Sequence, residues 1–290
     1  MMIQRSTIQL LRFHFSLFLM PVYWFALSQV INPDAGRAFL VFIILHILIY
    51  PSSNGFNSYM DRDEGSIGGL ESPLQPTRQL LYFSMGMDVL ALVLGLFISF
   101  YFTLAAAIYI LASRAYSARS VRLKKYPVAG FLTVVICQGA LVFFMVYHGC
   151  HPLLSTRVPI LGMISASLLI GGFYPLTQIY QHTADAKDGV RTISALLGIR
   201  GTFVFCGIIY GIAFMVLSYY FLSSLEIKEF LILSTCLAPI LVYFIVWAAQ
   251  VWKNPYLADF RHTMKMNIIA SSLTCVGFII VFLMHYFHNY

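Results

Sequence analysis

The chain has 290 residues, of which 60% are hydrophobic, 16% aromatic and only 10% charged. Soluble domains carry roughly 25% charged residues, so there is too little charge here to cover a globule of this size, and disorder, a coiled coil and a small disulfide scaffold are excluded as well. Its 18 basic and 11 acidic residues give +7, but the basic ones sit in short segments between apolar runs without interleaved aromatics, which argues for a membrane topology signal and against nucleic-acid binding.

Nine apolar stretches are predicted to be helices: 10–30, 38–60, 79–99, 101–118, 126–147, 159–181, 201–222, 230–252 and 266–288. Each is about 18–23 residues, enough to cross a hydrocarbon core of about 30 Å. The first lacks a small-residue cleavage motif and is followed by further spans, so it reads as a span and not a cleaved signal. The third and fourth nearly touch, which requires a tight turn near Ser99–Thr103. The runs are apolar on most faces and lack the alternation of a barrel strand. The predicted fold is all-α: a polytopic membrane protein with nine transmembrane helices around a central cavity. It forms a single membrane-embedded domain over 1–290, with two four-helix halves plus a ninth helix. Cys137, Cys150, Cys206, Cys236 and Cys275 form no CxxC pair and read as small buried hydrophobes.

Loop charges orient the bundle. Arg5 and Arg12 precede or open the first run, and Arg62 and Arg78 follow the second. Arg114, near the end of the fourth, and Arg119, Arg122, Lys124 and Lys125 after it, come next. Lys187, Arg191 and Arg200 follow the sixth, and Lys253, Arg261 and Lys265 the eighth. Fifteen of the 18 basic residues therefore share one side, leaving only Arg37, Arg157 and Lys228 opposite. The positive-inside rule places that side and the N-terminus in the cytoplasm and the C-terminus outside. The membrane is read as a bacterial inner membrane or an organelle equivalent.

Two polar clusters lie on the same side. At the end of the second run, Asn54, Asn57 or Ser58, and Asp61 follow i, i+3 or i+4, i+7 spacing and line one helical face. At the end of the sixth, Gln178, Gln181, Asp185 and Asp188 also share a face. Carboxylates and amides at a membrane helix end are costly unless they bind something. Two such faces converging form an oxygen-rich site suited to Mg²⁺, which bridges readily to phosphate. The chemistry implied is handling of a diphosphate, with Arg122 and Lys124 supplying further positive charge. Asp63, Glu64 and Glu71 read equally well as loop solvation, and Arg122 and Lys124 as topology signals. Asp88 falls inside the third run, facing the cavity or pairing with a neighbouring helix. His182 reads as a base or as a surface histidine.

With these motifs the chain resembles an integral-membrane prenyltransferase of the UbiA superfamily, whose members include 4-hydroxybenzoate, homogentisate, naphthoate and chlorophyll prenyltransferases. The resemblance covers nearly the whole chain: nine spans, both motifs, the stretch Tyr116-Ser117 to Arg122-Leu123-Lys124, and Gly189, Arg191-Thr192 and Leu197-Gly198. The superfamily's first motif, Asn-Asp-x-x-Asp-x-x-x-Asp, reads here as Asn57, Ser58, Asp61 and Gly65. Its second, Asp-x-x-x-Asp, reads as Gln181 and Asp185. Ser58, Gly65 and Gln181 thus stand where the superfamily has Asp, which implies weaker Mg²⁺ binding or one ion in place of two.

The resemblance implies a membrane lipid environment, a prenyl diphosphate donor, a lipophilic acceptor, commonly aromatic, and a Mg²⁺ cofactor, with no required protein partner. Asn57, Asp61 and Asp185 are implied as catalytic and, with Gln181, as metal ligands. Asn54, Tyr116, Arg122, Lys124, Gln181 and Asp188 are implied as substrate-binding. Two other readings compete: a membrane terpene cyclase of the same fold acting without an acceptor, and a transporter with polar residues between its helices.

Overall fold

The computed structural model describes residues 3–288. Nine long helices lie among them: α1 Arg5–Ser28, α2 Ala35–Asp61, α3 Arg78–Leu96, α4 Phe100–Ser117, α5 Pro127–Cys150, α6 Ile160–Lys187, α7 Ile193–Ser223, α8 Ile227–Lys253 and α9 Phe260–Phe287. No strand occurs among the described residues beyond one isolated bridge, Ile67 to Leu70. Eight of the nine helices are long and apolar enough to cross a membrane. The exception is α4, whose 18 residues end on Ser113, Arg114, Tyr116 and Ser117. The chain is an integral, multi-pass membrane protein. Helices suit that setting because each satisfies its own backbone groups where no water can. Exposed Phe97, Leu111, Met215 and Val242 lie on outward surfaces.

Short side chains fix the helix starts. The Asp34 carboxylate accepts from the Arg37 amide at 2.9 Å, the Ser99 hydroxyl from the Phe102 amide at 3.0 Å, and the Thr192 hydroxyl from the Ala195 amide at 3.2 Å. These are N-caps that satisfy otherwise unpartnered amides. The tight turn between the third and fourth helices resolves to residues 97–99.

Connections alternate between two ends. At one end the Arg37 guanidinium donates to the Pro152 carbonyl at 2.9 Å, the Asp34 amide to the Cys150 carbonyl at 2.9 Å, and His148 meets Ser99 at 2.7 Å. The opposite end gathers the polar motifs. Between the ends lie two apolar cores. In one, Phe25 stacks on Phe278 at 4.4 Å beside Phe102 and Phe143; in the other, Phe203 meets Trp247 edge-on at 4.8 Å beside Leu176 and Met266.

Several helices depart from α geometry along their length. α1 breaks at Arg12, which takes left-handed angles (φ 48°), and continues as a 3₁₀ helix over Phe13–Leu19. Such a conformation costs a non-glycine residue about 1–2 kcal/mol. α2 carries a π-helical segment at Ile43–Ile49 and α5 one at Ile136–Leu141. α6 becomes 3₁₀ over Tyr174–Gln181, with Pro175 near its start, and α7 breaks at Gly198 (φ 70°).

The π segment of α5 sets one close contact. A Cβ on Gly139 would lie 2.6 Å from the Ser167 amide nitrogen, so α5 and α6 touch backbone to backbone. Gly139→Ala is expected to destabilise the bundle by about 1–3 kcal/mol, the usual cost of overpacking. Gly211→Ala meets nothing within 4 Å and should leave stability unchanged or slightly raised. Thermal unfolding midpoints of the two variants in detergent, beside the wild type, check the contrast.

Candidate active site

Asn57 and Asp61 lie one turn apart on α2. The Asn57 amide donates to Asp61 Oδ2 at 2.9 Å and to Ser117 Oγ at 3.0 Å, tying α2 to the end of α4. The loop after α4 returns two cations to the same carboxylate. Lys124 forms an ion pair with Asp61 Oδ2, and Arg122 Nη2 lies 3.7 Å from Oδ1. Arg122 also pairs with the Asp188 carboxylate and donates to its carbonyl at 3.2 Å. The Asp61 side chain is only 6% exposed, and those of Lys124 and Arg122 are 10% and 12% exposed. One loop thus bridges the two motif-bearing helix ends.

These groups stand at the mouth of a cavity of about 730 Å³. Its walls include eight of the nine residues singled out from the sequence: Asn54, Asn57, Asp61, Tyr116, Lys124, Gln181, Asp185 and Asp188. The ninth, Arg122, is behind the wall, joining Asp61 to Asp188. Asp185 and Asp63 line the cavity with no ion pair or hydrogen bond to their carboxylates among the described residues. Burial and the charge of Asp61 push the Asp63 carboxyl above the ordinary carboxylate range. The Tyr116 and Tyr174 hydroxyls are hydrogen-bonded to each other on the wall.

The 62–77 connection folds over the mouth. The Gln181 amide donates to the Ser66 carbonyl at 3.3 Å, which leaves its oxygen free. His14 meets the Gly69 carbonyl at 3.0 Å. Arg12 donates to the Gly68 carbonyl at 3.1 Å and to the Asn54 carbonyl at 3.2 Å, and its Nε is buried without a hydrogen-bond partner. Arg12 therefore lies in the wall of the site, although its charge reads in the sequence as a topology signal. The clue was its place inside the first apolar run, where arginine is costly. His182 does not line the cavity; it meets Ser194 Oγ at 2.8 Å at the α6–α7 joint.

The donor chemistry suits one hard cation shared with a ligand. Among the described residues no group of three or more His, Cys, Asp or Glu side chains converges as a metal site. Mg²⁺, however, commonly takes one or two carboxylates and completes its shell with phosphate oxygens and water. Asp61 Oδ1 is buried and accepts no hydrogen bond, which leaves an anionic oxygen for such an ion.

An all-helical membrane bundle with acidic and basic groups closing one end of an inner cavity is the architecture of an intramembrane enzyme for a charged, lipid-tailed substrate. Residues 16–269 match the UbiA prenyltransferase family, and the chain belongs to it. A UbiA homolog from Archaeoglobus fulgidus bound to DMAPP and Mg²⁺ is similar at 22% identity and a TM-score of 0.69, over 96% of this chain and 99% of that one. The apo UbiA homolog from Aeropyrum pernix K1 is 17% identical with a TM-score of 0.68, over 93% and 98%. A digeranylgeranylglyceryl phosphate synthase structure is 19% identical with a TM-score of 0.63, over 96% and 98%. No curated protein matches the chain by sequence. A transporter is not favoured: the two motifs meet at the end of the bundle and not at its middle.

Proposed function

We propose that the chain transfers an isoprenoid group from an allylic prenyl diphosphate to a lipophilic acceptor, releasing diphosphate. The observation that carries this reading is the convergence of Asp61, Asp185 and Lys124, backed by Arg122, at the polar mouth of a cavity inside a membrane bundle. Structural neighbours bound to DMAPP or GPP with Mg²⁺ support the same donor and cofactor. Asp61, Asp185 and the side-chain oxygens of Asn57 and Gln181 would hold Mg²⁺, which when bound neutralises charge on the departing diphosphate.

The chain's own residues do the rest. Lys124 lies beside the acids on the cavity wall and attracts the diphosphate oxygens, and Arg122 behind it holds Asp61 and Asp188 in place. Asn57, held by Ser117, keeps Asp61 oriented. Asn54, Asp188 and Tyr116 complete the wall. The carbon–oxygen bond breaks with its electron pair leaving on diphosphate. The allylic cation forms in a cavity lined by Tyr116 and Tyr174, aromatic rings of the kind that stabilise cations, and the acceptor then forms the new bond and loses a proton. The protein acts as a single domain in a bacterial inner membrane, with the site facing the cytoplasm.

Purified protein with Mg²⁺, an allylic prenyl diphosphate and a lipophilic phenol is expected to release diphosphate and form a prenylated product. Cyclic hydrocarbon or alcohol formed without an acceptor would instead mark a terpene cyclase. No diphosphate release under any condition would overturn both.

A further inference from the structure

Asp63 is a cavity acid to which the reaction scheme gives no task. It lies two residues past the end of α2 and lines the cavity with Asp61 and Asp185. Asp61 is paired with Lys124 and lies 3.7 Å from Arg122, and Asp188 is paired with Arg122. Asp63 is half-buried, yet its carboxylate has no ion pair and no hydrogen bond among the described residues.

A divalent ion at this mouth needs negative charge that the motif positions supply only in part. Ser58 is 3% exposed and does not line the cavity, so it cannot reach the ion. Gly65 lines the cavity without a side chain, and a Cβ built there meets nothing within 4 Å. Gln181 offers a neutral oxygen. The charge of Asp61 is met by Lys124, although its Oδ1 is buried and accepts no hydrogen bond. Of the two motif carboxylates, only Asp185 is unpaired, and Asp63 is the second free carboxylate on the same wall.

The backbone places Asp63 for this use. Arg62 takes left-handed angles (φ 54°) and turns the chain away from α2 over the mouth. The turn sets Asp63 on the cavity two residues before the open position at Gly65. It is tied to the helix that carries Asp185, because the Gln181 amide donates to the Ser66 carbonyl at 3.3 Å. Asp185 feels the charge of Asp63 more strongly than that of Asp61. Like charges keep the three carboxylates short of a converged cluster, and a cation between them reverses that repulsion. Asp63 is the one whose backbone can follow: it lies outside the helices, and no amide of residues 63–66 donates to a backbone carbonyl.

We infer that Asp63 is a further Mg²⁺ ligand, taking the place of the acid that position 65 lacks and holding the ion together with Asp61 Oδ1 and Asp185. The inference rests on the proposed transferase reading. Glu64, the next residue, is exposed and controls for charge alone.

The test titrates Mn²⁺, a hard ion that takes the same oxygen ligands, into the full chain in detergent saturated with non-ionising dimethylallyl thiolodiphosphate. Electron paramagnetic resonance reads the free ion. Asp63→Asn is expected to weaken Mn²⁺ binding at least about tenfold, the scale on which metal sites respond even to loss of a supporting group. Glu64→Gln should leave it within about twofold, since an exposed charge is screened. Asp63→Cys should raise the ratio of Cd²⁺ to Mn²⁺ affinity at least about tenfold over the wild type, because a thiolate is a soft ligand; a residue acting through charge alone would not move that ratio. Unfolding midpoints check each variant, and if Asp63→Cys does not fold, Asp63→Asn and Glu64→Gln still decide. Undiminished binding in Asp63→Asn, equal weakening in Glu64→Gln, or an unmoved ratio in Asp63→Cys overturns the ligand and leaves the transferase reading standing. A wild-type chain that binds neither Mn²⁺ nor the analogue overturns the transferase reading itself.

Discussion

Turnover falls by roughly 10²–10³-fold or more in Asp61→Ala and in Asp185→Ala, the scale of losing one preorganised charged group. The two losses differ in origin, and the kinetics separate them. Asp61 is the hub of the site: Asn57 donates to it, Lys124 is paired with it, and Arg122 lies 3.7 Å away. Its removal frees Lys124, while Arg122 stays paired with Asp188, so the donor KM stays level or falls while kcat collapses and the Mg²⁺ needed for half-maximal rate rises. Asp185 has no cation partner among the described residues, so Asp185→Ala frees none. There kcat also falls, the Mg²⁺ requirement rises, and the donor KM does not improve. Asp61→Asn, which keeps one carbonyl oxygen for a hard cation, should retain more rate than Asp61→Ala. Undiminished turnover in both alanine variants would remove these residues from the chemistry.

How far the site was legible in the sequence depends on the backbone that carries each motif. The Asn54, Asn57 and Asp61 face could be read because Tyr50–Asp61 is ordinary α-helix, with 3.6 residues per turn. The same periodicity underlies the reading of the second motif, but Tyr174–Gln181 is 3₁₀, with 3.0 residues per turn. The face is therefore rewound. Gln178 accepts from the Ser194 amide at 3.4 Å and Gln181 donates to the covering loop, while both still line the cavity. Pro175, which lacks an amide to donate, was the visible warning. Hydropathy starts the seventh run at 201, eight residues after the true start at Ile193, because Gly198 breaks the helix between the two positions. The π segments of α2 and α5 leave no signature in hydropathy, so the placement of Cys137 and Gln138 on the cavity wall has no sequence signal.

Charge was legible as a total and misleading in detail. Arg114 reads in the sequence as one of the cations that orient the bundle. The structure places it in α4, where its charge is spent on Asp88 of α3. Arg12 likewise serves the site wall and not a loop. Positive-inside counting scores a cation only by its place along the chain, so it cannot distinguish those that a buried acid or carbonyl holds inside.

Asp88→Ala and Arg114→Ala should each destabilise the protein by about 3–5 kcal/mol, the cost of leaving one member of a buried ion pair uncompensated. Arg114 Nε donates to Asp88 Oδ2 at 3.0 Å, and Nη2 donates to Ser52 Oγ at 2.6 Å and pairs with Asp88 as well. Ser52 in turn donates to Asp88 Oδ1. The guanidinium lies 4.2 Å over the Phe56 ring, which closes the group from above. The side chains of Arg114 and Asp88 are 17% and 11% exposed, so solvent does little to screen a stranded charge. Removing both partners differs from removing one. Asp88→Leu with Arg114→Met replaces the pair by apolar volume, and such replacements are often neutral or stabilising. The double variant should therefore recover most of the unfolding midpoint lost by either single one. Stability and activity then part: Ser52 is the neighbour of cavity-lining Ser53 and Asn54, and Arg114 of Ser113. An apolar pair holds α2 against α4 without fixing its rotation, so the double variant should unfold near the wild-type temperature yet turn over more slowly. Unfolding midpoints in detergent and steady-state rates, measured on all three variants, check both halves. Single variants as stable as the wild type would show that the pair contributes nothing to the bundle.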